Sequence, residues 1–207
     1  MFTDRHDAGH RLSDALRDRQ PVSELVLGIP RGGVIVAAEV ARSLGHELDI
    51  EVVRKIGAPG DPEYAIAAVD ADGEIIGGEG LSADAAYLRR AAAEAGEEIR
   101  RRLVAYRGDH PAPRVAGRSV LLVDDGVATG FTLLAAVRSL RRRGAAHITA
   151  ATPVASTAAE RELSRVADDV VALWVDPHLR AISQYYTRFA QVSDEEVVDA
   201  LRSVWQA

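Results

Sequence analysis

The chain has 207 residues, a formal net charge of −6 and no cysteine. This length suits one globular domain spanning residues 1–207, and the missing cysteines exclude disulfides, thiolate metal sites, iron–sulfur clusters and cysteine nucleophiles. The acidic balance argues against a nucleic-acid binder, and no apolar run approaches the ~18 residues that a membrane helix needs. We therefore expect a soluble cytoplasmic protein that binds neither membranes nor nucleic acid.

Short apolar runs alternate with helical patterns along the chain. The run Ser119–Val123 is apolar almost throughout, as is typical of a parallel sheet covered on both faces. A hairpin is predicted about Asp72-Gly73. The predicted strands are Glu24–Ile29, Leu48–Arg54, Tyr64–Val69, Glu74–Ile76, Ser119–Val123, Ala146–Thr152 and Asp169–Val175.

Helices are predicted between these strands, so the order indicates an α/β fold with a largely parallel central sheet. On the first helix, His6 and His10 have a spacing compatible with zinc, but no third strong ligand is evident and a surface helix is preferred. Capping boxes are predicted at Thr157 with Glu160 and at Ser193 with Glu196. The other predicted helices are Val34–Leu44, Ser82–Arg107 and Phe131–Arg143.

Two adjacent carboxylates follow the predicted strand Ser119–Val123. In open α/β sheets the carboxyl ends of the strands are where ligands bind, so Asp124 and Asp125 lie at the expected place for a site. Adjacent side chains cannot both face the core, and two carboxylate acceptors match a metal or vicinal sugar hydroxyls. The alternative is a strand-ending turn in which Asp caps the next helix.

A loop rich in small residues comes after the carboxylates and opens the next helix. Backbone N–H groups at a helix start are unpaired and suit a phosphate. Gly126 and Gly130 allow close approach of the backbone, and Thr129 and Thr132 offer hydroxyl donors. The segment therefore predicts a cradle for a sugar phosphate.

The sequence Val120–Thr132 (VLLVDDGVATGFT) resembles the signature segment of the type I phosphoribosyltransferases. The resemblance implies a mostly parallel sheet with a small hood, and binding of 5-phosphoribosyl 1-diphosphate. Asp124 and Asp125 would hold the ribose hydroxyls and contact Mg²⁺ directly or through water or ligand. The loop that would bind the 5-phosphate comprises Gly126, Val127, Ala128, Thr129, Gly130, Phe131 and Thr132.

A second resemblance lies after the first strand. In Gly28–Gly33 (GIPRGG), Arg31, Gly32 and Gly33 match the family's diphosphate-binding loop, which often contains a non-proline cis peptide, with Arg31-Gly32 at the matching place. Lys55 resembles the family's lysine that reaches the diphosphate and is a candidate catalytic residue with the two aspartates. The alternatives are a plain strand-to-helix turn and a solvated cation at a strand end.

Nearly the whole chain is similar to a poorly characterised bacterial subgroup of this family, in the order PRGG, VRKIGAPGDPEYAIAAV, VDDGVATG and PHLRAISQYYTRFAQVSDEEV. Ala58–Tyr64 is a candidate part of a mobile loop that closes over substrate. The hood is expected from the C-terminal segment and from an insertion over 73–115. Candidate hood residues, which could instead pack the last helix onto the sheet, are Pro177, Ile182, Tyr185, Tyr186 and Phe189.

One position departs from part of the family. Members acting on 6-oxopurines usually carry an Asp in the signature loop where this chain has Ala128, so an adenine- or orotate-type loop is the closer match. The resemblance implies an enzyme that transfers a phosphoribosyl group to a nitrogenous base with Mg²⁺. Many relatives are dimers, which makes a homodimer a candidate assembly, although the sequence itself does not reveal the oligomeric state. The alternatives are a non-catalytic sensor of the same sugar diphosphate or of a nucleotide, and a small hydrolase using Asp125.

Overall fold

The computed structural model describes residues 1–19, 24–77 and 84–206. Its strands form one five-stranded sheet, in the order β2-β1-β6-β7-β8 with all pairs parallel, and one three-stranded antiparallel sheet, β3-β4-β5. This confirms the predicted fold class. The strands are β1 (Leu25–Gly28), β2 (Glu47–Ile50), β3 (Arg54–Ala58), β4 (Asp61–Val69), β5 (Ile75–Gly77), β6 (Ser119–Val123), β7 (His147–Ser156) and β8 (Asp169–Asp176).

Helices cover both faces of the parallel sheet. Val26 and Leu121 point into the core shared with α1, α2, α3 and α6, whereas Leu25 and Leu122 point into the core shared with α4 and α5. The bounds are α1 (Arg5–Leu16), α2 (Gly32–Leu44), α3 (Ala85–Arg107), α4 (Phe131–Arg142), α5 (Thr157–Leu163) and α6 (Asp194–Trp205), with a 3₁₀ turn at Ile182–Tyr185. Among the described residues, no helix is long and apolar enough to span a bilayer.

The caps of the last two helices differ in how well they were predicted. Ser193 and Glu196 form the expected reciprocal capping box at α6. At α5 the predicted cap, Thr157, is wrong: the N-cap is Ser156, whose hydroxyl accepts a hydrogen bond from the N–H of Ala159. The predicted start of α3 at Ser82 lies outside the described residues.

The small antiparallel sheet differs from the prediction in one strand. The β4–β5 hairpin about Asp72-Gly73 is confirmed, but the predicted strand Leu48–Arg54 is two elements: β2 ends at Ile50, and Arg54 begins β3 in the other sheet. The segment Ala58–Tyr64, predicted as part of a mobile loop, contains the β3–β4 turn and the start of β4, with Gly60 at φ 83°.

Strand β2 lies at one edge of the parallel sheet, and side chains cover its outward-facing backbone groups. Trp205 Nε1 donates to the carbonyl of Leu48 at 2.8 Å, and Arg107 Nη2 donates to the carbonyl of Ile50 at 3.2 Å. The carboxylate of Asp49 accepts from the N–H of Ile50 and from Arg107 Nε. The ends of α3 and α6 therefore protect this edge.

Candidate functional site

Strand β6 delivers Asp124 and Asp125 to the carboxyl edge of the sheet, as predicted from the sequence. Both residues are partly buried, and the carboxylate of Asp124 accepts a hydrogen bond from the N–H of Asp125 at 2.9 Å. Burial, and then the neighbouring carboxylate of Asp125, raise the pKa of Asp124 well above its ordinary value. The acidic pair therefore holds a proton more tightly than two exposed carboxylates would.

The loop after the pair is anchored to β7 at Val127 and Ala128. Val127 bridges to the end of β7, with its N–H donating to the carbonyl of Val154 at 2.8 Å and its carbonyl accepting from the N–H of Ser156 at 2.9 Å. The Ser156 hydroxyl donates to the carbonyl of Ala128 at 2.7 Å. Within the described chain, the backbone N–H groups of residues 128–130 donate no hydrogen bond and remain available to a ligand.

Gly130 connects this loop to α4 with a φ of 78°, in the left-handed region that favours glycine. No side chain caps the start of α4, so its first N–H groups stay available at the positive end of the helix dipole. A β-carbon on Gly130 would also lie 3.2 Å from the β-carbon of Ala159. The loop thus presents unpaired donors where an anion would bind.

These residues line one cleft of about 270 Å³. Lys55 enters it from β3, in the other sheet, with its ammonium 6.0 Å from the ring centroid of Phe131. The structure therefore brings together the predicted lysine, acidic pair and loop. The lining residues are Lys55, Asp124, Asp125, Gly126, Val127, Ala128, Thr129, Gly130, Phe131, Thr132, Leu133 and Ile182.

The start of α2 packs against the acidic pair through two glycines. A β-carbon on Gly33 would lie 2.8 Å from the carbonyl of Val123 and 3.0 Å from Asp124 Oδ1. A β-carbon on Gly32 would lie 2.6 Å from Asp125 Cγ and would overlap a carboxylate oxygen. Only glycine fits at these positions, so the start of α2 packs directly against the carboxylates.

Arg31 is placed differently from the two glycines that follow it. The loop contains a non-proline cis peptide, but between Pro30 and Arg31, one residue before the Arg31-Gly32 position expected from the resemblance. The side chain of Arg31 extends toward α6, where its Nη1 lies 3.8 Å from Asp194 Oδ1, and it does not line the cleft.

The C-terminal residues predicted as a hood divide into two groups. Ile182 lies over the loop, since a β-carbon on Gly126 would overlap its side chain, and Tyr185 donates to Asp176 Oδ2 at 2.7 Å. Tyr186 is buried, and its hydroxyl donates to the carbonyl of Asp125 at 2.6 Å. Burial raises the pKa of the Tyr186 hydroxyl above its ordinary value, so it stays a donor.

The rest of the predicted hood does not lie over the cleft. Phe189 packs against Tyr186, with ring centroids 4.8 Å apart, and both join Phe2 in a small apolar cluster rather than packing α6 onto the sheet. Pro177 is exposed. In the 73–115 segment, α3 packs on β3, β4 and α6.

Arg5 is a site residue that the sequence did not reveal. Its Nε donates to Asp125 Oδ2 at 2.7 Å, and the two side chains are only 12% and 14% exposed. The contact joins residues 120 positions apart in the chain, and Arg5 carries no local motif that would have identified it.

The histidine pair on α1 lies beside a buried glutamate of α2. Glu39 Oε1 lies 2.8 Å from His6 Nδ1, and Glu39 Oε2 lies 3.4 Å from His10 Nε2 and 2.7 Å from Arg42 Nη1. Arg42 already supplies a cation to this carboxylate. In the described ranges, no three His, Cys, Asp or Glu residues are grouped for metal binding.

The sequence matches the phosphoribosyl transferase domain family over residues 7–177. The chain belongs to the type I phosphoribosyltransferase family. Its members include Rv0571c of Mycobacterium tuberculosis H37Rv, provisionally named a phosphoribosyl transferase, which is 38% identical over 204 residues. That alignment covers 96% of this chain and 46% of the relative, so the chain spans about half the length of that curated relative.

Other known proteins are similar to this chain in sequence or in structure. Adenine phosphoribosyltransferase of Mycobacterium marinum is 33% identical over 164 residues, covering 76% of this chain and 68% of the relative. The crystal structure of TT1426 from Thermus thermophilus superposes with a TM-score of 0.89 at 45% identity, covering 98% of both chains. A purine phosphoribosyltransferase from Pyrococcus horikoshii, at 18% identity, TM-score 0.52 and coverage of 91% and 92%, supports the fold alone.

Proposed function

We propose that this phosphoribosyltransferase-family chain binds 5-phosphoribosyl 1-diphosphate and transfers its phosphoribosyl group to a nitrogenous base, releasing diphosphate. The observation that carries the proposal is the single cleft in which Lys55, the acidic pair and the loop 126–132 meet. A sugar phosphate needs hydroxyl acceptors beside anion donors, and this cleft has both next to each other.

The cleft supplies partners for the ribose and for the 5-phosphate of the substrate. The carboxylates of Asp124 and Asp125 accept from the ribose hydroxyls. The free amides of residues 128–130 and the start of α4, helped by the hydroxyls of Thr129 and Thr132, bind the 5-phosphate. The substrate is thereby held at its sugar and at one phosphate.

The diphosphate would bind beside the acidic pair, between the start of α2 and Lys55. Gly32 and Gly33 pack against the carboxylates, so the first N–H groups of α2 are its candidate backbone donors, and Lys55 reaches the cleft from β3. Arg31 belongs to this group through its backbone, because its side chain points toward Asp194. Positive charge at this position stabilises the departing diphosphate.

Mg²⁺ fits this site only with help from the substrate. The two aspartates are the carboxylates of the cleft, and one oxygen of Asp125 is already bonded to Arg5. Mg²⁺ takes near-octahedral oxygen ligands and usually keeps waters and substrate phosphates. Asp124 and Asp125 would hold it directly or through water, and the ion would neutralise charge on the diphosphate.

Catalysis in this geometry comes from positioning rather than from a protein nucleophile. Holding the ribose at both ends fixes its C1 carbon in the line of attack, and the incoming base nitrogen displaces diphosphate there. The β3–β4 hairpin that carries Lys55 is a candidate for closing over the sugar and excluding water. The candidate catalytic residues are Asp124, Asp125 and Lys55.

The acceptor base is best sought first among bases other than 6-oxopurines. Ala128 occupies the loop position at which a proton-transferring Asp would be expected for hypoxanthine or guanine, and its methyl group can transfer no proton. One relative is named an adenine phosphoribosyltransferase, so adenine heads the panel. Of the candidate hood residues, Ile182 lines the cleft and lies over Gly126.

The test is diphosphate release from the activated sugar with Mg²⁺ and a panel of adenine, orotate, hypoxanthine, guanine and uracil. Release that depends on one base would support the transferase. Tight binding of the activated sugar in calorimetry without release for any base would favour a sensor. Absence of both binding and release would overturn the proposal.

A further inference from the structure

Residues from the first few positions of the chain and from the segment before α6 converge on Asp125. The N–H of Phe2 donates to the carbonyl of Tyr185 at 2.7 Å, and the N–H of Thr187 donates to the carbonyl of Phe2 at 2.8 Å. This pairing places α1 and its first residue, Arg5, against residues 182–190, which we call the hood segment. Tyr186 from that segment bonds the Asp125 carbonyl at 2.6 Å.

The guanidinium of Arg5 is fixed on three sides. Its Nε donates to Asp125 Oδ2 at 2.7 Å and its Nη1 donates to the carbonyl of Ala190 at 2.8 Å. Its central carbon lies 3.9 Å from the centroid of the Phe189 ring, a cation–π contact. A planar fork held in this way can impose one orientation on a carboxylate, which a lysine could not do as well.

The contact also determines what the acidic pair can offer a ligand. Arg5 is the one cation within ion-pair distance of either Asp124 or Asp125 among the residues that the structure describes. It donates to Oδ2, so Oδ1 is the oxygen of Asp125 that Arg5 leaves entirely free to accept from a ligand hydroxyl. Asp125 nevertheless lines the cleft, and its orientation there depends on Arg5.

We propose that Arg5 is a positioning residue for the sugar: braced by Phe189 and Ala190, it holds the Asp125 carboxylate in the orientation that accepts from the ribose hydroxyls. This inference rests on the proposed function for its ligand. Arg5 is not a catalytic residue in this scheme, because it contacts Asp125 and not the cleft. Its effect should therefore be confined to the sugar and should spare the phosphate loop.

The test compares Arg5→Met, which keeps an unbranched side chain against Phe189, with Arg17→Met, which removes an exposed arginine next to the same helix. Calorimetry with 5-phosphoribosyl 1-diphosphate and Mg²⁺ should show at least about tenfold weaker binding for Arg5→Met and no change for Arg17→Met. Inorganic phosphate, titrated by NMR, should bind Arg5→Met within about twofold of wild type. Arg5→Lys should recover part of the lost affinity.

Two results would overturn the inference: Arg5→Met that binds the activated sugar like wild type, or Arg5→Met that loses sugar and phosphate binding to the same degree. The second result would mean a purely structural role. A wild-type protein that fails to bind the activated sugar would instead contradict the proposed function. In that case a double-mutant cycle of Arg5→Met and Asp125→Asn, measured by thermal unfolding, tests whether the two residues are coupled. Stability losses that simply add in the double variant would rule out the coupling.

Discussion

Ile182 lies directly on Gly126, so that a β-carbon on the glycine would overlap Ile182 Cγ2 and lie 2.9 Å from its Cγ1. The contact joins the loop after the acidic pair to the 3₁₀ turn at Ile182–Tyr185. We expect Gly126→Ala to destabilise the fold by about 1–3 kcal/mol, as overpacking typically does, and to lower the unfolding temperature by roughly 2–4 °C for each kcal/mol. Thermal unfolding followed by circular dichroism measures this.

Two further variants control for this prediction. Gly96→Ala adds a methyl group to α3 at a place where the nearest neighbouring atom is 3.6 Å away, on a flexible arginine, and should not destabilise. Ile182→Ala removes the overlapping atoms, so the double variant with Gly126→Ala should lose less stability than the sum of the two. A strictly additive pair would contradict the proposed contact.

The acidic pair gives the most direct prediction for ligand binding. Replacing Asp124 and Asp125 together by Asn should abolish Mg²⁺-dependent binding of 5-phosphoribosyl 1-diphosphate in calorimetry, because amides neither attract the metal nor accept as strongly from the ribose hydroxyls. Asp14→Asn, which changes an exposed carboxylate on α1, should bind as wild type does. Circular dichroism should show the fold retained, and unchanged affinity in the double variant would remove both residues from the site.

Lys55 should contribute to binding through a direct contact of its ammonium group with the activated sugar. Its side chain is exposed and lines the cleft, so Lys55→Met should weaken binding of the activated sugar roughly tenfold to a hundredfold, the equivalent of roughly 1.5–3 kcal/mol for a hydrogen bond to a charged group. Arg54→Met changes the neighbouring cation, which lies 3.6 Å from Glu98 and outside the cleft. Equal losses in both variants would indicate a general charge effect instead of a specific contact.

Glu51 should make stability depend on pH. Arg143 donates to one of its oxygens at 2.8 Å, the other has no hydrogen-bond partner among the described residues, and burial raises its pKa to about 7. Because the folded protein binds this proton more tightly than the unfolded chain, the stabilisation is complete below about pH 4.5 and is lost as pH rises through about 7.

The measurement is the free energy of unfolding in urea at pH 5 and at pH 8. Between these values wild type should lose more stability than Glu51→Gln, by an amount on the order of 3 kcal/mol. Glu97→Gln, at an exposed position on α3, should follow wild type. A parallel pH dependence in wild type and Glu51→Gln would show that Glu51 does not titrate in this range.

Sequence patterns predicted the elements that are buried and locally bounded. The bounds of β6 were predicted to the residue, because an apolar run ends there at two carboxylates. Strand β7 was predicted to end at Thr152, but it continues through Pro153 to Ser156. A prolyl ring has no N–H and is unusual inside a sheet, yet β7 still pairs with β8 on both sides of it.

Features that depend on contacts between distant parts of the chain could not be predicted from local sequence patterns. Val52 and Val53 continue the apolar pattern of β2, so nothing local showed that the chain leaves one sheet there and enters another at Arg54. The contact of Arg5 with Asp125 depends on how α1 folds against the hood segment. The loop and the acidic pair were predictable because their residues are contiguous.

The covering of β2 by Trp205, Arg107 and Asp49 has a consequence for association. An unprotected outer strand can recruit a strand from another molecule, which is a route to aggregation and domain swapping. Here an incoming strand would first have to break the side-chain bonds to Leu48 and Ile50. Removing the Trp205 indole would expose a backbone acceptor at this border and make it available for intermolecular strand pairing.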